Sequence, residues 1–118
     1  MRIFITGADG FIGSAMVERL KDKHELHFLT EDLRDHEKVG NQIRLFDPEV
    51  IVHLAARTEV QDSFYEQITF SEVNYVGTVN LIEIAATLPN LKNFVFASTM
   101  EVYGWQPISD IIRDGKEE

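Results

Sequence analysis

Cysteine is absent from the 118 residues. That excludes disulfides, thiolate catalysis and zinc–thiolate sites, and it suits a reducing cytoplasm, the expected location. Basic side chains are outnumbered: 11 Lys and Arg stand against 20 Asp and Glu, a formal net charge of -9. A surface of that sign repels a phosphate backbone, so no nucleic acid is expected as a partner, and the acidity itself reads as a solvated face. No apolar run approaches the roughly 18 residues of a membrane-spanning helix, so no membrane is expected either. The apolar stretch after Met1 is too short for a signal peptide and runs straight into Gly7. Neither an internal repeat nor a low-complexity tract occurs. His24, His27, His36 and His53 form no metal-ligand spacing with other donors, so no metal is expected.

The apolar share, 44%, is enough to build the core of one domain. Arg2 to Thr6, Glu25 to Leu29, Val50 to Leu54 and Asn93 to Ala97 read as strands, the third apolar enough to be buried on both faces. Phe11 to Lys21 reads as a helix, with Ile12, Ala15, Met16 and Leu20 at helical spacing. Asp35 is placed to cap a second helix that carries Val39, Ile43 and Phe46 on one face and stops at Pro48. The spacing predicts a long helix over Phe70 to Leu88, ended by Pro89 and Asn90, with Val73, Val76, Leu81, Ile84 and Ala85 toward the sheet. Regular alternation of strand and helix argues for a parallel sheet with helices on its faces. His53, inside a buried strand, reads as a satisfied core residue rather than a catalyst. Residues 105–118 lack periodicity and read as a loop or tail.

The chemical signal is Gly7-Ala8-Asp9-Gly10-Phe11-Ile12-Gly13, entered by a strand and left by a helix. Glycines let the backbone turn tightly and approach a pyrophosphate without a Cβ in the way, and the amides at the helix start face its charge. Gly13 also lets the helix pack closely on the strand. This is the layout of a Rossmann-type dinucleotide site, expected to hold NAD or NADP; the alternative is a turn with no ligand. Asp32, just past the second strand, lies where a carboxylate can accept from an adenine amino group or a ribose hydroxyl; the alternative is a helix cap. Ala55 and Ala56 are small enough to let a dinucleotide lie flat on the strand ends. Asn74 is a polar residue on an otherwise apolar helix face, which calls for a partner. Ser98 and Thr99 end the fourth strand with hydroxyls that can hydrogen-bond a substrate oxygen or simply cap the backbone.

These segments resemble the extended short-chain dehydrogenase/reductase family, the NAD-dependent epimerases and dehydratases that act on nucleotide sugars. TGADGFIGS, IVHLAA, NYVGTVNLIEIA and FVFASTMEVYG are similar to four of its motifs, in family order, over nearly the whole chain. The resemblance implies cofactor contacts from Gly7, Gly10, Phe11, Ile12 and Gly13. It implies an adenine flanked by Asp32 and Leu33, and backbone contacts to the nicotinamide half from Leu54, Ala55 and Ala56, with Thr58 nearby. Asn74 would help hold the active-site loop, and aligning on Val102-Tyr103-Gly104 makes Thr99 the catalytic hydroxyl. The short path from Leu29 to Asp32 is similar to GDP-fucose synthase and the dTDP-rhamnose-forming reductases. It leaves Thr30 where NAD-specific relatives carry an acid. Glu31 can serve ribose hydroxyls instead and Arg34 can meet a 2′-phosphate, so NAD and NADP both stay open.

The family's chemistry needs a Tyr with Lys four residues on, and none of Tyr65, Tyr75 and Tyr103 has one. The expectation is therefore an NAD(P)-binding domain over 1–104, an N-terminal portion without the C-terminal substrate domain. Its fold is a doubly wound parallel sheet of about four strands, and the resemblance places the third beside the first, order 2-1-3-4. Nucleotide sugar is a partner only if the remaining part is supplied, and the open edge at Asn93 to Ala97 invites a second copy. Two function classes follow. One is the cofactor-binding portion of an epimerase, dehydratase or reductase, inactive alone. The other is a non-catalytic dinucleotide-binding or protein-interaction module derived from that family.

Overall fold

The computed structural model describes residues 1–58 and 64–98. Thr99 and the tail expected over 105–118 lie outside them. The elements run β1 (Arg2–Thr6), α1 (Phe11–Leu20), β2 (Glu25–Phe28), α2 (His36–Phe46), β3 (Val50–His53), α3 (Gln67–Ser71), a π-helical turn (Glu72–Val76), α4 (Gly77–Ala86) and β4 (Asn93–Phe96). The strands form one parallel sheet in the order β2-β1-β3-β4, as expected.

Alternation along the strands sorts the core into two layers. Ile3 and Ile5 of β1 and Val50 and Val52 of β3 face α1, where Met16, Val17 and Leu20 cover them. Phe4 and Ile51 face the other way, into Val39 and Ile43 of α2 and Leu81 and Ile84 of α4. β3 is buried along its whole length because it is flanked by strands on both sides and covered on both faces. Helix α2 begins as its sequence suggests: the Asp35 carboxylate accepts the Lys38 amide at 3.1 Å. It ends on Asp47, whose left-handed backbone (φ 51°) turns the chain toward β3.

Two details depart from the spacing. On α1 the buried side is built by Gly13, Met16 and Val17, while Ile12 and Ala15 point to solvent. On the long helix Val76 is 43% exposed rather than turned to the sheet. Five residues separate Val76 from Leu81, about 140° off one face of an α-helix, so the two cannot share a stripe. The π-helical turn reaches back one extra residue, and Val73 rather than Val76 joins the core.

Candidate functional site

The site lies at the carboxyl ends of β1 and β3, where the chain's path across the sheet reverses. Gly7 leaves β1 with φ +73°, in the left-handed region where a side chain is strained. The Gly10 amide returns to the Gly7 carbonyl at 3.2 Å and closes the turn. A Cβ on Gly7 would stand 2.7 Å from the Ala55 nitrogen, so the turn rests directly on the segment that follows β3. Gly13 is buried under the same turn. Helix α1 starts at Gly10 with no side-chain cap and no acid in its first turn. No side chain caps the amides of Phe11, Ile12 and Gly13 at the positive end of the helix dipole, an arrangement suited to a phosphate. A cleft of about 390 Å³ lined by Ala8, Asp9, Val17, Phe28 and Leu29 opens beside the turn.

Below the turn lies a chain of buried polar groups. Thr6 and His53 are register partners on β1 and β3. Thr6 Oγ1 stands 2.6 Å from His53 Nδ1 and accepts the amides of Leu54 (3.2 Å) and Ala55 (3.1 Å). His53 Nε2 lies 2.8 Å from Thr78 Oγ1, which donates to the Asn74 carbonyl at 2.7 Å. The imidazole stacks on Phe96 with centroids 5.5 Å apart. Burial pushes its pKa below the ordinary 6.5, so it is neutral at pH 7. His53 is thus the satisfied core histidine its strand position suggests, with both ring nitrogens engaged.

Asn74, inside the π-helical turn, reads the main chain of Arg57 like a second strand: Oδ1 accepts its amide at 2.8 Å and Nδ2 donates to its carbonyl at 2.9 Å. The Arg57 guanidinium caps this join, 2.7 Å from Glu66 and over the ring of Phe70. The partner that the isolated Asn calls for is therefore the loop after β3. Leu54 and Ala55 direct their amides inward to Thr6, and Ala56 and Thr58 beyond them are exposed.

Asp32 and Leu33 follow β2 and differ in their surroundings. Arg34 grips the exposed Asp32 carboxylate through Nη2 at 2.7 Å and Nε at 3.0 Å and donates its amide as well. Those bonds hold the Asp32 pKa at about 2. Arg34 also reaches Glu72 at 3.5 Å. Leu33 is a core residue, and its carbonyl accepts Asn80 Nδ2 at 3.0 Å in a buried contact. Gly77 makes room for it, since a Cβ there would meet the Leu33 Cβ at 2.9 Å. Thr6, Thr78 and Asn80 carry no role of their own in the sequence motifs, and Arg34 stands out there only as a partner for a 2′-phosphate. The available signal was hydroxyl and amide residues interrupting apolar runs. Among the described residues no cluster of His, Asp and Glu is placed to hold a metal, and no helix is long and apolar enough to cross a membrane.

Comparison with known proteins agrees with this geometry. The model of the NAD dependent epimerase/dehydratase family matches residues 3–117. GDP-6-deoxy-D-talose 4-dehydrogenase of Aggregatibacter actinomycetemcomitans is 36% identical over 113 residues, covering 90% of this chain and 38% of that protein. The Thermus thermophilus UDP-glucose 4-epimerase in complex with NAD superposes with a TM-score of 0.77 at 34% identity, over 84% of this chain and 38% of that one. RMD from Pseudomonas aeruginosa complexed with NADPH gives a TM-score of 0.78 at 26% identity, over 93% and 39%. The chain spans between 31% and 42% of the length of the curated relatives it matches.

Proposed function

This chain belongs to the NAD dependent epimerase/dehydratase family, and from that premise we propose that it is the cofactor-binding portion of a nucleotide-sugar epimerase, dehydratase or reductase. One observation carries the reading: the left-handed Gly7 turn leads into a helix whose first amides are uncapped, at the switch point of the sheet. In this reading Gly7, Gly10, Phe11, Ile12 and Gly13 cradle the pyrophosphate of NAD or NADP. Asp32 flanks the adenine, Leu33 backs the same loop from within the core, and Leu54, Ala55, Ala56 and Thr58 line the nicotinamide half. Asn74 holds that lining in place through Arg57. A nicotinamide held there would supply a reversible hydride acceptor for a sugar carbon. Thr99, outside the described residues, is proposed to hydrogen-bond the reacting oxygen.

The family resemblance implies a phenol with a lysine four residues on for proton transfer at that oxygen, and no Tyr in these 118 residues has one. The chain alone is therefore expected to oxidise no nucleotide sugar, and its binding of NADH is expected to be weak. Incubation with NAD and UDP-glucose should give neither a rise in nicotinamide absorbance nor, by anion-exchange chromatography, any new sugar nucleotide; sustained formation of NADH or of a converted sugar nucleotide would contradict this part of the proposal.

Arg34 bears on the choice of cofactor. With its guanidinium paired to Asp32 and Glu72 it is poorly placed to meet a 2′-phosphate, which favours NADH over NADPH. Asp32→Asn releases one partner, so its NADPH affinity is expected to rise about threefold or more relative to NADH. Parallel fluorescence titrations check this, and an unchanged ratio would show that Arg34 plays no part.

The edge of β4 favours a second reading as a pairing module. Val95 is 48% exposed on an end strand of the sheet. Self-association through Asn93–Phe96 is expected, and sedimentation velocity should show Val95→Lys shifted toward monomer. A parent chain that stays monomeric at every concentration would count against this module.

A further inference from the structure

Resting on the reading that a dinucleotide lies across the strand ends, we propose that His53 is a positioning residue for it: as one neutral tautomer, the ring locks the segment after β3 against the glycine turn. The hydrogen count assigns the tautomer. The Thr78 hydroxyl has a single hydrogen, and it goes to the Asn74 carbonyl at 2.7 Å. Thr78 Oγ1 must therefore accept from His53, which puts the imidazole proton on Nε2, 2.8 Å away. Nδ1 is then a bare acceptor, and the Thr6 hydroxyl donates to it at 2.6 Å. With its hydrogen so directed, Thr6 Oγ1 presents its lone pairs to the amides of Leu54 and Ala55. With the proton on Nδ1 instead, Thr6 Oγ1 would face three donors and its own hydrogen would lose its acceptor, while Nε2 would turn a lone pair toward Thr78 Oγ1.

The consequence falls on the crevice. Leu54 and Ala55 are pulled toward Thr6, close enough beneath Gly7 that a Cβ there would stand 2.7 Å from the Ala55 nitrogen and 2.9 Å from the Leu54 carbonyl carbon. The other end of the same segment, Arg57, hangs on Asn74, whose carbonyl is the last acceptor in the chain. One relay thus sets both ends of the wall opposite the phosphate turn. The ring itself meets Thr6 from β1, Thr78 from α4, and Phe94 and Phe96 from β4. Burial is the one cause of its lowered pKa, with no charged partner contributing. A phenylalanine would fill the same space and stack on the same rings, but it would bond neither threonine.

Nitrogen NMR of the wild-type imidazole together with NADH titrations tests this. Nδ1 should read as unprotonated and Nε2 as protonated. His53→Phe and Thr78→Val, melting within a few degrees of wild type, should weaken NADH about fivefold or more. Thr6→Val should do the same and Thr6→Ser, which restores the hydroxyl, should recover most of the loss. An Nδ1–H tautomer, or a folded His53→Phe or Thr78→Val chain with unchanged NADH affinity, would overturn the proposal. A wild-type chain that binds no NADH while showing the expected tautomer sinks the functional reading itself, and the positioning role with it, which separates that failure from a failure of the relay.

Discussion

Gly13→Ala is expected to cost about 3–5 kcal/mol of stability and to remove dinucleotide binding. The added Cβ would land on the Gly7 carbonyl oxygen and lie 2.8 Å from the Gly7 carbon and 2.9 Å from the Ala8 Cα, all of them backbone atoms. Gly7 cannot yield, because it is itself seated on Ala55 in a left-handed conformation. Helix α1 must then lift from the sheet and loosen Met16, Val17 and Leu20 from Ile3, Ile5, Val50 and Val52. A domain of this size holds roughly 5–15 kcal/mol in total, so the variant should melt far below the parent. Gly10→Ala is the control: its Cβ would meet one atom, the Gly7 oxygen, at 3.3 Å, and the fold should survive. Urea unfolding of both variants checks the contrast. A Gly13→Ala loss under about 1 kcal/mol would mean that the turn is more pliable than its packing implies.

Asn74→Leu is expected to weaken NADH binding about tenfold while lowering stability by about 1–2 kcal/mol. Leucine keeps the volume and the helix propensity but drops both bonds to the Arg57 main chain. Arg57 is half-buried, so its freed amide and carbonyl regain water and the fold tolerates the change. The crevice loses more, because the main chain from Leu54 to Arg57 is then hydrogen-bonded at its Thr6 end, with the Arg57 side chain's contacts to Glu66 and Phe70 holding the other. Titration beside thermal melting separates the two effects. Equal affinity at reduced stability would make Asn74 a purely structural residue.

Much of this architecture could be read along the chain. Arg2–Thr6 and Val50–His53 declare themselves by short apolar runs, and Asp35 by its place before an amphipathic stretch. Strand order is different in kind. Hydrophobic pattern says that a strand is buried, not which neighbour it has, and the order 2-1-3-4 came from family resemblance. The π-helical turn is not legible because helical periodicity assumes a constant pitch, whereas the exposure of Val76 is, since α-helical spacing from Leu81 already turns it off the apolar face. Asn74 was legible as a polar residue needing a partner, though the partner, Arg57, lies 17 residues away in the chain. The grip of Arg34 on Asp32 arises in a turn too short for periodicity to describe. Leu33 carries the reverse lesson: singled out for a ligand, its side chain is buried with the core beneath α4.

The central claim is that the amides opening α1 hold the phosphates of a nicotinamide dinucleotide. The most direct measurement is an amide NMR titration of the chain with NADH. The account predicts that the largest, saturable shifts fall on Gly10, Phe11, Ile12 and Gly13, with smaller ones along Leu54 to Thr58. Shifts confined to another surface, or none at millimolar NADH, would contradict it.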